Sequence, residues 1–467
     1  MPAAHRAQGK WIRDWFSCLM LALLLPISQA LAQNPDGELR RLYAEKRYFE
    51  LRDRLEELGD DNSPELDFFR GAVDNIFNRL PSSITWLLSY LEKTGGSQPA
   101  AWIKECYILL ADSYRKSFHY ARAAEINERI LVLFRNELDD QEKADHENEF
   151  RLWAALKDVP AQVAEFSGET NVRMDDSHVP MTINGHDIAL TYDTGADLSV
   201  LIASLAREFE LDLSEVPVKV GTITGEKIDA RIGVASELKI GNMTVRNALF
   251  LVMKDEHFYI PEIKRQIQGV LGYPVLAAMR EVTFTREGEL NIPTAPRTQG
   301  VQNLAMSGFK PLIEGRYKGK RLTFILDTGA NRSDLWPPFL TVFADEIKGR
   351  SELRTERFRG AGSQREIEAY SLRDLVLHIS GREFTFRRIP VFTEYTTDDS
   401  RTFYGNLGQD LVRQFRSMTI NFESMSVVFN QKQPPRAARS PRPIPSGSNT
   451  APCPGSRGEL RSPSSVP

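Results

Sequence analysis

Asp193-Thr194-Gly195-Ala196 and Asp327-Thr328-Gly329-Ala330 repeat one tetrapeptide within a single chain of 467 residues. From average residue usage, a given tetrapeptide occurs by chance in about one chain in a hundred of this length. Each copy begins eight residues after a glycine, Gly185 in the first copy and Gly319 in the second. Because the flanking glycine recurs at the same distance, the repetition indicates two copies of one structural unit.

The surroundings of both motifs predict short strands and turns. Asn184-Gly185 is a strong signal for a β-hairpin, so each aspartate is expected at the end of a returning strand. An apolar element that closes on glycine follows each motif: Gly272 lies 79 residues after Asp193, and Gly408 lies 81 residues after Asp327. A short helical stretch and a final strand pair are predicted after each glycine. The repeated unit is therefore about 120 residues long and is used twice.

Two carboxylates that face each other can hydrolyse a peptide bond without a metal or a covalent nucleophile. One activates a water molecule while the other protonates the carbonyl oxygen. At short distance they cannot both ionise, so the pair shares one proton and titrates as a unit. We therefore predict that Asp193 and Asp327 are the catalytic pair.

The other motif residues are predicted to support this pair. The threonine hydroxyls can bond to the opposite backbone, the glycines let backbone amides approach the carboxylates, and the alanines keep the neighbouring space small. These residues are Thr194, Gly195, Ala196, Thr328, Gly329 and Ala330.

The two copies resemble the lobes of retropepsin-type aspartic proteases, the retroviral protease class and its bacterial relatives. The resemblance rests on both Asp-Thr-Gly-Ala motifs, on the serines that follow them, Ser199 and Ser333, and on the closing glycines. It places a first lobe at 172–295 and a second lobe at 300–430. The fold it implies is an all-β, double-lobed acid-protease barrel, retropepsin-like or pepsin-like.

In that family a lobe of this size normally dimerises to complete one site. Here both lobes stand in one chain, as in pepsin-like enzymes, so we predict a monomer with a pseudo-twofold active site. An enzyme completed by homodimerisation is the alternative. The lobes differ after the closing glycine, where Asp410 is predicted to cap a helix and Pro274 stands at the equivalent position.

Lobes of this family also carry a glycine-bearing hairpin that folds over the substrate, called the flap. Ordinary surface hairpins are the alternative interpretation of the same glycines. The flap candidates are Gly221, Thr222, Thr224 and Gly225 in the first copy, and Gly360, Ala361 and Gly362 in the second.

Residues 36–165 contain few glycines and have apolar residues at three- and four-residue spacing, which predicts an all-α region. The segment from Trp102 to Phe134 resembles a tetratricopeptide repeat, and Gly71 stands at the equivalent small position of a weaker copy. Asn127 stands where that repeat usually has a large apolar residue. A plain helical bundle is therefore the alternative to a helical-repeat domain.

The two ends of the chain differ in composition from the rest. Residues 1–32 combine basic residues, an apolar run from Cys18 to Leu25 and a small-x-small site, which predicts a secretory signal cut after Ala32. The alternative is an uncleaved anchor, although the run is shorter than the roughly 20 residues that a spanning helix needs. Residues 431–467 are rich in proline, serine and basic residues, which predicts a disordered tail. We therefore expect an exported protein, periplasmic or secreted.

The composition restricts the other classes of function. A net charge of -4 offers no basic field for nucleic acid, and three cysteines cannot build a disulfide framework. The histidines have no metal-ligand spacing, so we predict no metal and no cofactor.

The favoured hypothesis is an exported aspartic endopeptidase acting on a peptide or protein substrate. The helical region is expected to recruit or regulate that substrate, or to bind a protein partner. A secreted helical-repeat scaffold, whose lobes bind peptides without catalysis, is the alternative from another class. Intact Asp-Thr-Gly in both copies favours the enzyme, because a site without chemistry has no need for two carboxylates.

Overall fold

The computed structural model describes residues 35–59, 62–95, 99–221, 227–260, 264–297, 300–360 and 363–432. The predicted signal segment and the predicted tail from residue 433 onward lie outside the described residues. So do five of the flap candidates: Thr222, Thr224, Gly225, Ala361 and Gly362.

The described chain begins with a helical region in which consecutive helices pack against each other. Its helices are α1 (Pro35–Ala44), α2 (Tyr48–Leu58), α3 (Pro64–Ile76), α4 (Leu80–Thr94), α5 (Ala100–Lys116), α6 (Tyr120–Leu133) and α7 (Asp140–Ala154). Among the described residues, no helix has the length and apolar character needed to cross a membrane.

Local sequence explains where these helices begin and how closely they pack. Ser63 precedes α3 and its side chain accepts a hydrogen bond from the Leu66 amide, while Pro64 takes the first helical position. A Cβ atom on Gly71 would lie 2.6 Å from Leu87 Cγ, so the glycine allows α3 and α4 to approach. Asn127 is buried, and its side-chain amide donates to a backbone carbonyl of the preceding turn at 2.9 Å.

The first β half follows the helical region and contains two short helices. Its elements are β1 (Val163–Phe166), β2 (Thr170–Arg173), β3 (His178–Ile183), β4 (His186–Tyr192), β5 (Ser199–Ile202), α8 (Ala203–Glu208), β6 (Asp212–Leu213), β7 (Val218–Gly221), β8 (Lys227–Ile240), β9 (Met243–Met253), β10 (Tyr259–Ile260), β11 (Arg265–Gln266), β12 (Gly269–Leu271), α9 (Tyr273–Ala278), β13 (Glu281–Thr285) and β14 (Glu289–Ile292).

The second β half ends at Lys432, two residues beyond the predicted limit of 430. Its elements are β15 (Leu304–Ser307), β16 (Lys310–Tyr317), β17 (Lys320–Leu326), β18 (Asp334–Leu335), α10 (Pro337–Val342), α11 (Ala344–Arg350), β19 (Leu353–Gly360), β20 (Ser363–Ile379), β21 (Arg382–Phe392), β22 (Gly405–Leu407), α12 (Gln409–Val412), β23 (Phe415–Asn421) and β24 (Ser426–Lys432).

The two β halves share one strand order. The first contains the path β9-β5-β12-β4-β3-β8, and the second contains β21-β18-β22-β17-β16-β20. In both, the strand before the aspartate pairs in parallel with the short strand that ends next to the closing glycine. The predicted hairpin turns are also present, since Asn184 and Lys318 have positive φ, followed in each case by a glycine of positive φ.

A separate five-stranded sheet joins the halves, in the order β2-β14-β13-β23-β24. The final strand pair predicted for each copy forms a hairpin, and the two hairpins meet where β13 pairs antiparallel with β23. Thr283 lies opposite Thr419 in this pairing, and their hydroxyl oxygens are 2.8 Å apart. The sheet therefore ties the end of one half to the end of the other.

The border between the helical and β regions lies earlier than the sequence predicts. Helix was predicted as far as residue 165, but α7 ends at Ala154 and β1 begins at Val163. β1 pairs antiparallel with β9, where Val163 lies opposite Arg246. A strand of four residues is too short to show a clear period, and its pairing with a distant strand decides its structure.

The helical region contacts both β halves. Arg321 Nη1 donates to Asp53 Oδ2 at 2.8 Å, and Arg52 Nη1 donates to the Gln302 carbonyl at 2.7 Å, which joins α2 to the second half. At the other end of the region, α7 binds the backbone of β7 in the first half. The helices therefore form part of the same body as the two sheets.

We predict that Gly71→Val destabilises the helical region by about 1–3 kcal/mol, because the new side chain overlaps the buried Leu87. Gly349, in α11, is the matched control, since a Cβ atom there meets nothing within 4 Å. Gly349→Val should change stability by no more than about 0.5 kcal/mol. Thermal unfolding followed by far-ultraviolet circular dichroism measures both, and equal midpoints would contradict the close approach of α3 and α4.

Candidate active site

Each motif aspartate lies directly after a strand in the middle of its sheet. Asp193 follows β4, and its amide donates to the Leu271 carbonyl at 3.0 Å. Asp327 follows β17, and its amide donates to the Leu407 carbonyl at 2.9 Å. The backbone of each aspartate thus extends the parallel ladder with the strand that ends next to the closing glycine. Two equivalent ladders hold the two loops in equivalent positions.

The two loops exchange hydrogen bonds through their threonines. The Thr194 amide donates to Thr328 Oγ1 at 3.0 Å, and the Thr328 amide donates to Thr194 Oγ1 at 3.0 Å. The Thr194 hydroxyl donates to the Leu326 carbonyl at 2.6 Å, while the Thr328 hydroxyl lies 3.4 Å from the Tyr192 carbonyl. Both threonines are buried. Each hydroxyl therefore satisfies backbone groups of the opposite loop, which water does not reach.

The motif glycines let the carboxyl groups approach each other. A Cβ atom on Gly195 would lie 2.7 Å from the Asp327 carboxyl carbon, and one on Gly329 would overlap the Asp193 carboxyl. The two carboxyl groups, both half-buried, lie close together, each beside the glycine of the opposite loop. A side chain at either glycine would separate them.

Burial and the neighbouring Asp327 carboxyl raise the pKa of Asp193 to about 8. Removal from water disfavours the charged form, and a second negative charge at contact distance disfavours it further. The Gly195 amide, which donates to Asp193 Oδ1 at 2.8 Å, acts in the opposite direction but does not cancel these effects. The pair can therefore retain a proton at neutral pH.

The surroundings of the two carboxyl groups are not equivalent. Asp327 Oδ1 accepts from the amides of Gly329 and Ala330 at 2.9 Å and 3.0 Å, and Asp327 Oδ2 accepts from Asn406 Nδ2 at 2.8 Å. No role was predicted for Asn406 from the sequence. The repeat nevertheless marked this position. Asn406, which precedes Leu407, stands where the first copy has Val270 before Leu271.

The serines of both motifs hold the closing glycines. The Gly272 amide donates to Ser199 Oγ at 3.0 Å, and the Gly408 amide donates to Ser333 Oγ at 2.9 Å. Asp410 was predicted to cap its helix, and this is wrong. Its Oδ1 accepts from the amide and the hydroxyl of Ser333, at 2.9 Å and 2.5 Å, whereas the capping position of α12 is Gly408, which has no side-chain cap.

Two further polar residues near the pair were missed by sequence reasoning. Gln409 is buried, and its side-chain amide donates to the Thr328 carbonyl at 2.7 Å and to the Tyr192 hydroxyl at 3.2 Å. Asp334 is buried on β18, where burial raises the pKa of its carboxyl to about 8, and it accepts from the indole of Trp336 at 2.5 Å. Neither residue belongs to a repeated pattern, so only the fold brings them to the site.

The described flap candidates lie in hairpins. Gly221 ends β7 and is paired with Lys227 of β8, and Gly360 ends β19 and is paired with Ser363 of β20. The hairpins occupy equivalent places in the two halves, between the aspartate and the closing glycine. The flap assignment itself stays a prediction.

Comparison with known proteins finds a match to one family model and a likeness to a solved structure. Residues 179–275 match the family model of aspartyl proteases, and that range includes Asp193 and Gly272. Among solved structures, a retropepsin-like aspartic protease from Rickettsia conorii is similar at 18% identity. The match covers 28% of this chain and 96% of that protein, with a TM-score of 0.20. No curated protein matches the chain. Residues 179–275 are therefore similar to an aspartyl protease domain.

Proposed function

We propose that the chain is an exported aspartic endopeptidase whose two β halves are the lobes of one pseudo-twofold site. The proposal rests above all on one observation, the contact between the carboxyl groups of Asp193 and Asp327, which come from different halves of the same chain. The interlocked threonines and the shared sheet support a site that a monomer completes. In such a site one chain supplies both aspartates, whereas in a homodimeric site each copy supplies one.

Hydrolysis follows from one shared proton. A water molecule held between the carboxyl groups gives a proton to the ionised carboxylate and attacks the carbonyl carbon of the peptide bond. The protonated partner gives its proton to the carbonyl oxygen, which yields a tetrahedral diol. The first carboxyl then returns its proton to the leaving nitrogen, the carbon–nitrogen bond breaks, and the diol becomes a carboxylic acid. In the same step the second carboxylate takes the proton of one diol hydroxyl, so the pair again holds a single proton.

Export is the part of the proposal that the N-terminal sequence supports. Residues 1–32 have the basic, apolar and small-residue order of a secretory signal. An exported hydrolase of this kind needs no metal supply, because its chemistry uses only carboxyl groups and water.

We propose further that the helical region regulates how substrate is held, through the hairpin β7–β8. Asn148 of α7 binds the backbone of Lys219 twice: its Nδ2 donates to the Lys219 carbonyl at 2.9 Å, and its Oδ1 accepts from the Lys219 amide at 2.7 Å. Lys227, on the other strand of the hairpin, forms an ion pair with Asp145 at 2.5 Å. Both strands are thus tied to one helix.

We predict that Asp193→Asn and Asp327→Asn each lower kcat/KM by about 10²–10⁴-fold or more, since each variant removes one partner of the proton exchange. Cleavage of an unfolded protein substrate by the purified chain measures this. Asp187→Asn, an exposed position on β4, is the matched control and should keep full activity. If only one of the two variants lost activity, a single shared site would be excluded.

We predict that kcat/KM falls as pH rises through about 8, where the raised pKa of Asp193 lets the shared proton leave.

The titration of Asp193 should also make the free energy of unfolding depend on pH. The pKa of an unfolded aspartate is about 3.9. Between about pH 4 and pH 8 the folded state therefore holds one proton more than the unfolded state. The free energy of unfolding should therefore decrease as pH rises from about 4 to 8. Asp193→Asn should weaken this decrease in urea unfolding measured across that range, and an identical pH dependence would contradict the raised pKa.

We predict that Asn148→Ala speeds hydrogen exchange at the Lys219 amide and raises KM several-fold, with a smaller change in kcat. The variant removes the acceptor of that amide, so the hairpin loses part of its preorganised position. Glu147→Ala is the control on the same helix, because Glu147 is exposed and pairs with Arg151 instead. Exchange measured by mass spectrometry that did not differ between the two variants would contradict a role for α7.

A further inference from the structure

The two carboxyl groups of the pair receive different donors. Backbone amides of the Gly and Ala positions face both aspartates, so the main chain treats them alike. The difference is a side chain. Asn406 Nδ2 donates to Asp327 Oδ2 at 2.8 Å, on the carboxyl oxygen that the backbone leaves free.

The corresponding strand position in the first half cannot provide such a bond. Asn406 on β22 lies opposite Ile325 of β17, and Val270 on β12 lies opposite Thr191 of β4. Each is two residues before its closing glycine, in strands that have equivalent partners. Valine has no donor. The asymmetry is therefore a substitution at a symmetric backbone position and requires no change in the fold.

Resting on the proposed function, we propose that Asn406 is a positioning residue that selects which aspartate is ionised, with Asp327 as the carboxylate and Asp193 as the acid. A hydrogen bond donated to a carboxylate favours the charged form, and bonds to charged groups are stronger than bonds to neutral ones. Among the described residues, Asp193 has no equivalent side-chain donor, so the shared proton resides on Asp193. Burial and the neighbouring carboxyl raise its pKa in agreement with this assignment.

Lys310 and Asp334 are other charged groups that interact with Asp327. Lys310, at the start of β16, interacts with Asp327 over a longer distance, and its own ion pair is with Asp399 at 2.5 Å. Asp334 on β18 lies near Asp327 and is the antiparallel partner of Asn406 where β18 pairs with β22. The effect of replacing Asn406 is therefore measured in an Asp334→Asn background as well as in the wild-type chain.

The assignment gives each step of hydrolysis a direction. Asp327 takes the proton from the attacking water, and Asp193 gives its proton to the carbonyl oxygen. After collapse of the diol, Asp327 has given its proton to the leaving nitrogen. Asp193 regains one from a hydroxyl of the collapsing diol, so protons balance over the cycle. Asn406 exchanges no proton and keeps Asp327 ready as the base at the start of each turnover.

The test is the pH profile of kcat/KM for Asn406→Val, which copies the residue of the first half. Loss of the donor should move the midpoint of the acid limb, which reports protonation of Asp327, to higher pH by about one unit. The reciprocal variant Val270→Asn should lower the basic limb, which reports loss of the Asp193 proton. Asn430→Val, at an exposed site on β24, is the control and should leave both limbs in place.

A second measurement does not depend on activity. Carbon-13 labelling of aspartate carboxyl groups, with the Asp327 signal assigned by its loss in Asp327→Asn, follows the titration of Asp327 directly. The apparent pKa of this signal should rise in Asn406→Val by the same amount as the acid limb. A wild-type chain without peptidase activity, but with this titration shift, would overturn the proposed function and leave the role of Asn406 intact.

Two results would overturn the inference while the proposed function stands. The first is an active Asn406→Val variant with unchanged limbs and an unchanged Asp327 titration. The second is a shift of the acid limb in the opposite direction, because Asn406 would then accept the proton of a neutral Asp327 through its carbonyl oxygen. In both cases the Asp193→Asn variant would remain inactive.

Discussion

The hydrogen bonds exchanged by Thr194 and Thr328 force two acidic groups into contact. Two carboxylates at such distance repel each other strongly when both are ionised, because the site is only half exposed to water. The threonines resist that repulsion, since separating the loops would leave buried hydroxyl and amide groups without partners. The pair therefore lowers its free energy by sharing a proton. This constraint, imposed by neutral side chains, produces an acid and a base from two identical residues.

The backbone of the site is symmetric, whereas its side chains are not. Strand pairing uses amide and carbonyl groups that every residue provides, so the two halves keep one strand order while their sequences diverge. Side chains at equivalent positions can then differ without cost to the fold, as Asn406 and Val270 do. Asp410 and Pro274 are a second example, since Asp410 binds Ser333 and proline cannot. Divergence of this kind gives the two aspartates different surroundings.

The sequence predicted those parts of the structure that depend on repetition or on local signals. The turns after Asn184 and Lys318 and the ends of the helices depend on residues close together in the chain. The pairing of Asp193 with Asp327 could be inferred because both stand in a repeated motif. The position of β1 and the contacts of Asp410 could not be inferred, because each depends on a partner distant in sequence. The repeat showed that Asn406 replaces Val270, but not that its side chain binds Asp327. In these places tertiary contacts decide the structure, and no periodicity reports them.

In the proposed function, the helical region is coupled to the site through its contacts with both halves. α7 holds Lys219 on one side, and α2 holds Arg321 on the other, so displacement of the hairpin β7–β8 must break or carry the bonds of Asn148. A substrate that binds better when the hairpin moves must therefore also act on α7. If substrate binding changes the affinity of the helical region for a ligand by some factor, that ligand changes the affinity for substrate by the same factor. The ligand needs no contact with either aspartate to do so.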